Sequence, residues 1–246
     1  MIAAIRSELR KILTLRSTYI ILAFAFIIVV LMNGWATGYK HGPLDENFVS
    51  GIIRNTLQGM SFLLGIVVLL QVAHEYRYNT IYYTLTLTKR RTTVFLAKVI
   101  VATVAMLTGA IILIALGVVS GVIGVAASGA ALGAQTIPWG DIVLKGSMYV
   151  WGVGMFALII TFLLRNQVGA IVMYLFGVNI AEQLLSLILK SNTGYLPFRA
   201  LEGVIMQASV QSGYVFSPEK SMIIVTCWIA VAGFAAWILF LKRDAN

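Results

Sequence analysis

Long uncharged stretches alternate with short charged ones along the chain, and the charges serve as rulers. No Asp, Glu, Lys or Arg interrupts residues 17–39, 55–73, 146–164 or 221–241, and 166–189 holds only Glu182. A helix needs ~20 apolar residues to cross ~30 Å of hydrocarbon, so five spans follow directly. The stretch 99–140 is also free of charge. As one helix it would reach ~63 Å, so it is either one span with an uncharged extension or a pair of spans. Parity separates the two. With one span, Arg165, Lys242 and Arg243 fall on the side of the N-terminal arm and the 74–98 loop; with two they cross over, against the positive-inside rule. The pattern therefore predicts an all-α membrane protein, a single transmembrane domain over 1–246. Its six helices lie near 17–38, 56–74, 94–118, 146–164, 167–189 and 221–241. Both termini are cytoplasmic, 75–92 is a cytoplasmic loop, 120–138 is external or re-entrant, and 190–220 is an external loop.

Composition agrees. Sixty per cent of the 246 residues are apolar, 11% are charged, and mean hydropathy is +0.93, against about half and a quarter in soluble domains. The net charge of +9 falls entirely on the inner side of this topology, where twelve basic residues face only Glu8, Glu75 and Asp244. Topology and anionic lipid thus account for the basic excess, and nucleic acid is not an expected partner. Cys227 is the one cysteine, which excludes an intramolecular disulfide and a cysteine metal cluster. His41 and His74 form no HExxH pair, so no metal is expected. No G-x-x-x-x-G-K-[ST] phosphate loop occurs, and GDIVLKGS from Gly140 has its lysine and glycine in the wrong order. The first 16 residues carry five charges ahead of an apolar run without an evident cleavage site, so no signal peptide is expected.

Two inner segments exceed what a connector needs. On a helical wheel Ile2, Ile5, Leu9, Ile12 and Leu13 share a ~100° arc, with Ser7, Arg10, Lys11 and Thr14 facing away. Such a helix lies in the membrane interface, either as an orienting arm or as an elbow that cradles neighbouring spans. The loop from His74 to Lys98 contains Ile81, Tyr82, Tyr83, Leu85 and Leu87. Ile81, Leu85 and Thr88 fit a short helix facing a partner, yet Tyr83 to Thr88 also alternates as a strand would. Apolar and aromatic side chains in such a loop dock on another protein or on the bilayer surface.

At these residues the chain resembles the permease subunits of ABC-2 type transporters, the exporter class of ATP-binding-cassette systems. The carrying strings are S7-E-L-R-K-I-L-T-L-R-S17, E75-Y-R-Y-N-T-I-Y-Y-T-L-T-L-T-K-R-R-T-T-V-F-L-A-K98, L163-L-R-N-Q167, Y195-L-P-F-R199 and F216-S-P218. One departure is Asn79, where many members carry glycine, although asparagine tolerates left-handed backbone. The resemblance implies an elbow helix using Glu8, Arg10, Lys11 and Arg16. It also implies a coupling helix at Thr80, Ile81, Tyr82, Tyr83, Leu85 and Leu87, anchored by Glu75 and Arg77. It further implies two cytoplasmic ATPase subunits that bind the ATP and magnesium, a second permease chain, and a bacterial cytoplasmic membrane as the location. This chain itself would hold no cofactor and would not be an enzyme. The cargo class implied is an amphipathic peptide, a lipophilic drug or antibiotic, or a lipid.

Ionisable groups within the membrane are functional candidates by default. Glu182, with Asn179 and Gln183 beside it, either lines a transport path or sits near the outer interface, paired with Lys190 or a partner. The fifth span is open to interruption near Gly177. Gly117-V-V-S-Gly121 and Gly129-A-A-L-Gly133 read as packing patterns, and Trp35, Trp139 and Trp151 as an aromatic belt. Tyr195, Phe198, Tyr214 and Phe216 give the last external loop an amphipathic character. A stand-alone secondary transporter competes with the exporter reading but has few buried charges for ion coupling. An intramembrane enzyme lacks any paired-aspartate, G-x-S-x-G or metal signature.

Overall fold

The computed structural model describes residues 1–38, 47–87, 90–128, 137–205 and 216–242. The expectations placed on Lys40, Asp45, Glu46, Thr88, Lys89, Gly129–Gly133, Tyr214, Arg243 and Asp244, and on the Trp35 side chain, lie outside them. Among the described residues all regular structure is helical. The order is α1 (Ile2–Thr14), α2 (Arg16–Gly38), α3 (Phe48–Arg77), α4 (Ile81–Leu87), α5 (Arg91–Ser128) and α6 (Trp139–Leu164). Then α7 (Gln167–Val172) runs through a π turn (Met173–Gly177) into α8 (Val178–Leu189). A 3-10 turn (Lys190–Tyr195), α9 (Pro197–Ile205) and α10 (Pro218–Lys242) complete the chain. Six stretches are long and apolar enough to cross a membrane: α2, α3, α5, α6, α7–α8 and α10. The chain is a multi-pass membrane protein.

The helices overrun the boundaries drawn from charge. α3 begins at Phe48 rather than near 56, and α6 at Trp139 rather than near 146. A charge marks the edge of hydrocarbon, whereas backbone hydrogen bonding continues into the headgroup zone. The third span corrects the sequence reading more sharply. Residues 120–128 are not a separate segment but the continuation of α5, whose 38 residues make about 57 Å of helix. Its glycines are packing sites. A Cβ at Gly117 would lie 3.0 Å from the Ile53 Cα, and one at Gly121 would touch Ile52 and Val49. Small residues thus let α5 approach the α3 backbone closely.

Burial separates a centre from a periphery. In the most apolar window of α3, 72% of residues are buried, and 67% in α6, against 22% in α2, 11% in α7–α8 and 17% in α10. Ile20 and Leu31 of α2, Leu187 and Ile188 of α8, and Val231 and Phe234 of α10 are exposed, as lipid-facing side chains are. The spans alternate in direction, because hydrogen bonds gather their ends. Lys98 near the start of α5 meets Glu75 near the end of α3. Arg91 and Arg165 reach the last carbonyls of α10, and Arg77 meets Gln167 at the start of α7. α1 joins this same end through Glu8 and Lys98. At the opposite end Arg54 of α3 pairs with Asp141 of α6.

The fifth span is not broken near Gly177. The π turn inserts a residue while the helix continues, a feature common at functional positions. It buries Tyr174 completely, with its hydroxyl donating to the Phe62 carbonyl at 3.2 Å. The 81–88 ambiguity resolves in favour of helix over Ile81–Leu87. A helix satisfies its own backbone, whereas a single strand there would need a sheet partner.

Candidate functional site

α1 is amphipathic, and it packs one edge of its apolar arc, Ile5 and Ile12 against Val67 and Val101, together with part of its polar face. Glu8 and Ile12 are buried and Lys11 is half-buried, while Ile2, Leu9 and Leu13 are exposed. Lys11, expected to face headgroups, turns inward. The physical reason is that lipid accepts the apolar edge at no cost, while unpaired charges near the bilayer demand partners. Those partners converge from three helices. Lys98 Nζ, fully buried, lies 2.9 Å from Glu8 Oε2 and 2.7 Å from Glu75 Oε1. Lys11 Nζ lies 2.7 Å from Glu8 Oε1 and 2.6 Å from Glu75 Oε1. Gln71, one turn before Glu75, donates to Glu8 Oε2 at 3.2 Å.

Two carboxylates and two ammonium groups therefore make a neutral buried quartet that fastens α1 to α3 and α5. Burial pushes the Glu8 carboxyl upward, but Lys98 and Lys11 outweigh it and hold the group below its ordinary value. For Lys11 burial pulls down, and Glu75 and Glu8 outweigh it and raise the ammonium above its usual range. Two acceptors, Glu75 Oε2 and Gln71 Oε1, make no hydrogen bond with the protein. A charge set of this kind holds only while all members are present, since one left alone in a low-dielectric site is strongly unfavourable.

Glu75 has a second role. α3 ends in a Schellman motif, with the Thr80 N–H donating to the Glu75 carbonyl at 3.0 Å and the Asn79 N–H to that of Tyr76 at 3.5 Å. Asn79 takes the left-handed conformation, φ 54°, that glycine would take there. The turn launches α4. Ile81 is buried and Leu85 half-buried, while Tyr82 and Tyr83 are exposed. This reverses the expected outward face of Ile81 and Leu85: those two hold α4 against its own bundle, and the tyrosines point away. Thr80 and Arg77 are exposed, Arg77 Nη1 donating to Gln167 Oε1 at 3.3 Å. The Leu87 side chain lies outside the described set. Arg10 and Arg16 are exposed. Between α1, α4 and α5 runs a groove of about 610 Å³, lined by Met1, Ala4, Glu8, Lys11, Tyr83 and Thr84 among others.

Arginines close the same end. Arg165, at φ 52°, caps α6 and donates to the Leu239 carbonyl at 2.9 Å, while Arg91 donates to that of Leu241 at 3.1 Å. Both satisfy carbonyls that a helix C-terminus leaves unpaired. The Arg165 guanidinium also stands 5.9 Å from the Tyr76 ring centroid.

Glu182 lies elsewhere and is occupied. It is buried, and its two oxygens accept the N–H groups of Phe198 at 2.8 Å and Arg199 at 3.0 Å. A carboxylate there caps the start of α9 and complements its dipole. Asn179 instead donates to the Leu175 carbonyl, and Gln183 is exposed, so the three side chains form no shared constellation. Phe198 packs on Phe62, Phe156 and Tyr174 beneath that cap.

Sequence reasoning named Glu8, Lys11 and Glu75 but missed Lys98 and Gln71. The signals were present: Lys98 stands seven residues inside α5, and Gln71 is one helical turn from Glu75. Among the described residues no group of three or more His, Cys, Asp or Glu could hold a metal ion.

No curated protein matches this chain. Residues 33–245 match a family described as Protein of unknown function (DUF2705). That match takes in α3 to α10 and the end of α2, with Gln71, Glu75, Lys98 and Glu182 inside it, whereas α1 with Glu8 and Lys11 lies ahead of it. A match over so much of the chain shows the family: this protein belongs to DUF2705.

Proposed function

We propose that this chain is the permease subunit of an ABC-2 type exporter, with α1 as its elbow helix and α4 as its coupling helix. The observation that carries this reading is α4 itself. It is a short helix presenting Tyr82 and Tyr83, set on the end of a central span by a tight turn and backed by a buried charge quartet. Ten basic residues stand at that end among the described ones (Arg6, Arg10, Lys11, Arg16, Arg77, Arg90, Arg91, Lys98, Arg165 and Lys242) against Glu8 and Glu75. By the positive-inside rule this end is cytoplasmic, with both termini there.

Two copies of a cytoplasmic ATPase bind the ATP and magnesium, and a second permease chain completes the path across a bacterial cytoplasmic membrane. Closure of the ATPases presses on Tyr82 and Tyr83. Ile81 and the Schellman turn pass the load into α3, and the Glu8–Lys98 quartet passes it to α5 and α1. The cargo is an amphipathic peptide, a lipophilic drug or antibiotic, or a lipid, matching the apolar character of the spans.

The test is gentle solubilisation from the native host and identification of co-purifying chains, for the wild type and for Tyr82→Ala/Tyr83→Ala. Leu85→Asp is a poor probe, since Leu85 packs on the bundle. A stoichiometric ATPase that the double variant loses, while eluting at the same size without it, supports the reading. A folded chain that never carries an ATPase in several detergents overturns it in favour of a stand-alone transporter.

A further inference from the structure

α1 turns a further face outward that neither the quartet nor the groove beside α4 uses. Ile2 is 84% exposed, Leu9 40% and Leu13 57%. At ~100° per residue these three fall within a ~40° arc, and Arg6 and Arg10 follow them round the helix within a further ~60°. Beyond the arginines come Ala3 and Ser7, on the edge that lines the groove. The protein-facing side holds Ile5, Glu8 and Ile12. The order around α1 is thus protein, apolar stripe, arginines, groove. Arg6 and Arg10 are both exposed, and neither meets a carboxylate among the described residues.

The stripe adjoins lipid. The Tyr19 hydroxyl of α2 donates to the Leu13 carbonyl at 2.6 Å, which sets the end of the stripe against the foot of a span. Tyr19 and Ile20 of that span are exposed, as side chains facing hydrocarbon are. The positive-inside rule explains why basic residues gather at this end, but not why two of them flank an exposed apolar stripe on one helix. A phospholipid accounts for both features: its chain covers the stripe at the edge of the hydrocarbon, and its phosphate meets the arginines one step round the helix.

We propose that α1 binds an anionic phospholipid of the leaflet at the quartet end, its phosphate at Arg6 and Arg10 and an acyl chain along Ile2, Leu9 and Leu13. Charge complementarity selects the occupant. Each arginine favours an anionic headgroup over a zwitterionic one by about fivefold, and the two together by about thirtyfold. A cytoplasmic protein fits less well, because the stripe adjoins side chains of α2 that stay in the bilayer. Glu8 and Lys11 hold α1 from the protein side, and the lipid holds it from the other.

The test uses the full chain carrying Cys227→Ser and Leu13→Cys, with an apolar bimane fluorophore attached at position 13. It is reconstituted in phosphatidylcholine vesicles with a minor fraction of phosphatidylglycerol or phosphatidylcholine bearing a nitroxide on the acyl chain, which quenches nearby fluorophores. Initial quenching per mole fraction should be about thirtyfold steeper with phosphatidylglycerol. Arg6→Gln and Arg10→Gln should each lower that ratio about fivefold, and together should bring it near unity. Lys242→Gln removes an equal charge from the same end of the bundle, on α10, and should leave the ratio unchanged. Size-exclusion profiles check that each variant folds. Equal quenching by the two lipids in the parent chain overturns the proposal, since the stripe then lies in hydrocarbon without selection. A fall with Lys242→Gln as large as with Arg10→Gln overturns it too, because it marks a diffuse surface potential. Quenching by neither lipid assigns the stripe to a protein partner and overturns it as well.

Discussion

Lys98→Met is the sharpest test of the buried quartet. Methionine keeps most of the stem's volume and deletes the charge, in a site where Lys98 has no exposed surface. Glu8 and Glu75 would then share Lys11 alone, leaving one uncompensated negative charge behind α1. Breaking a buried pair costs about 3–5 kcal/mol, whereas an exposed pair rarely exceeds about 1 kcal/mol. For a chain of this size each kcal/mol moves Tm by ~2–4 °C, so the loss should be roughly 6–20 °C. Thermal unfolding in mild detergent, read as loss of the monodisperse peak of a fluorescent fusion, resolves that range. The companion variant Lys98→Met/Glu75→Gln restores neutrality, with Glu8 facing Lys11, and should recover more than half of the loss. A Tm fall below about 2 °C for Lys98→Met, or strictly additive effects in the double variant, would refute the reasoning.

The remaining predictions follow from single contacts. Glu8 titrates below the ordinary glutamate value, so its stabilising contribution is complete above that ordinary value and is lost as pH falls through the depressed folded value. Lys11 is raised above 10.5, so its contribution is complete below that pH and is lost only as pH rises through the higher folded value; melting curves against pH should show both limbs, and Glu8→Gln should remove the acid one. Glu182→Ala should cost about 1–2 kcal/mol by uncapping α9, with Glu182→Gln milder, and limited proteolysis within 190–216 should report it. Gly65→Ala should cost about 1–3 kcal/mol, because the added Cβ would collide with the Tyr174 hydroxyl; Tyr174→Phe should partly relieve it in thermal unfolding. Asn79→Val should lose about 1–2 kcal/mol at its left-handed site, while Asn79→Gly should match or exceed the wild-type Tm.

Span number and position were legible because hydrocarbon thickness and charge avoidance are one-dimensional constraints. Parity of basic residues correctly favoured one helix in the 99–140 region, though not how far α5 extends. The face of α1 was legible only in part: Ile2, Leu9 and Leu13 are exposed, as an interfacial helix requires, but nothing local shows that Glu8 and Lys11 turn inward onto Lys98 and Glu75. Lys98 was treated as a border because nothing local distinguishes a charge at the headgroups from one buried under a helix 90 residues earlier. The capping of α9 by Glu182 was likewise hidden, since it depends on how the chain returns after Lys190. The π turn at Met173–Gly177 has no dipeptide signature at all.

The quartet bears on how force could travel through the bundle. Its four charges cancel, so separating α1, α3 and α5 at this end would expose unpaired charges near the membrane, at a cost of several kcal/mol. These three helices therefore respond to a push on α4 as one body. α6 joins them through close glycine packing, with Gly154 against Met106 of α5 and Gly146 against Leu57 of α3. The peripheral spans are held differently. α10 is tied at its end by two arginines donating to backbone carbonyls, and α7–α8 by Arg77 to Gln167 and Tyr174 to Phe62. Such contacts are individually worth about 0.5–3 kcal/mol and can exchange partners without stranding a buried carboxylate. If the chain is the permease proposed above, the relative motion of its cycle is expected between the α1–α3–α5–α6 body and the α7–α8 and α10 spans. The π turn in the fifth span lies on that boundary. Spin labels on α5 and α3 should keep their separation through a cycle while labels on α8 and α3 change theirs; the reverse pattern would mean that the quartet opens.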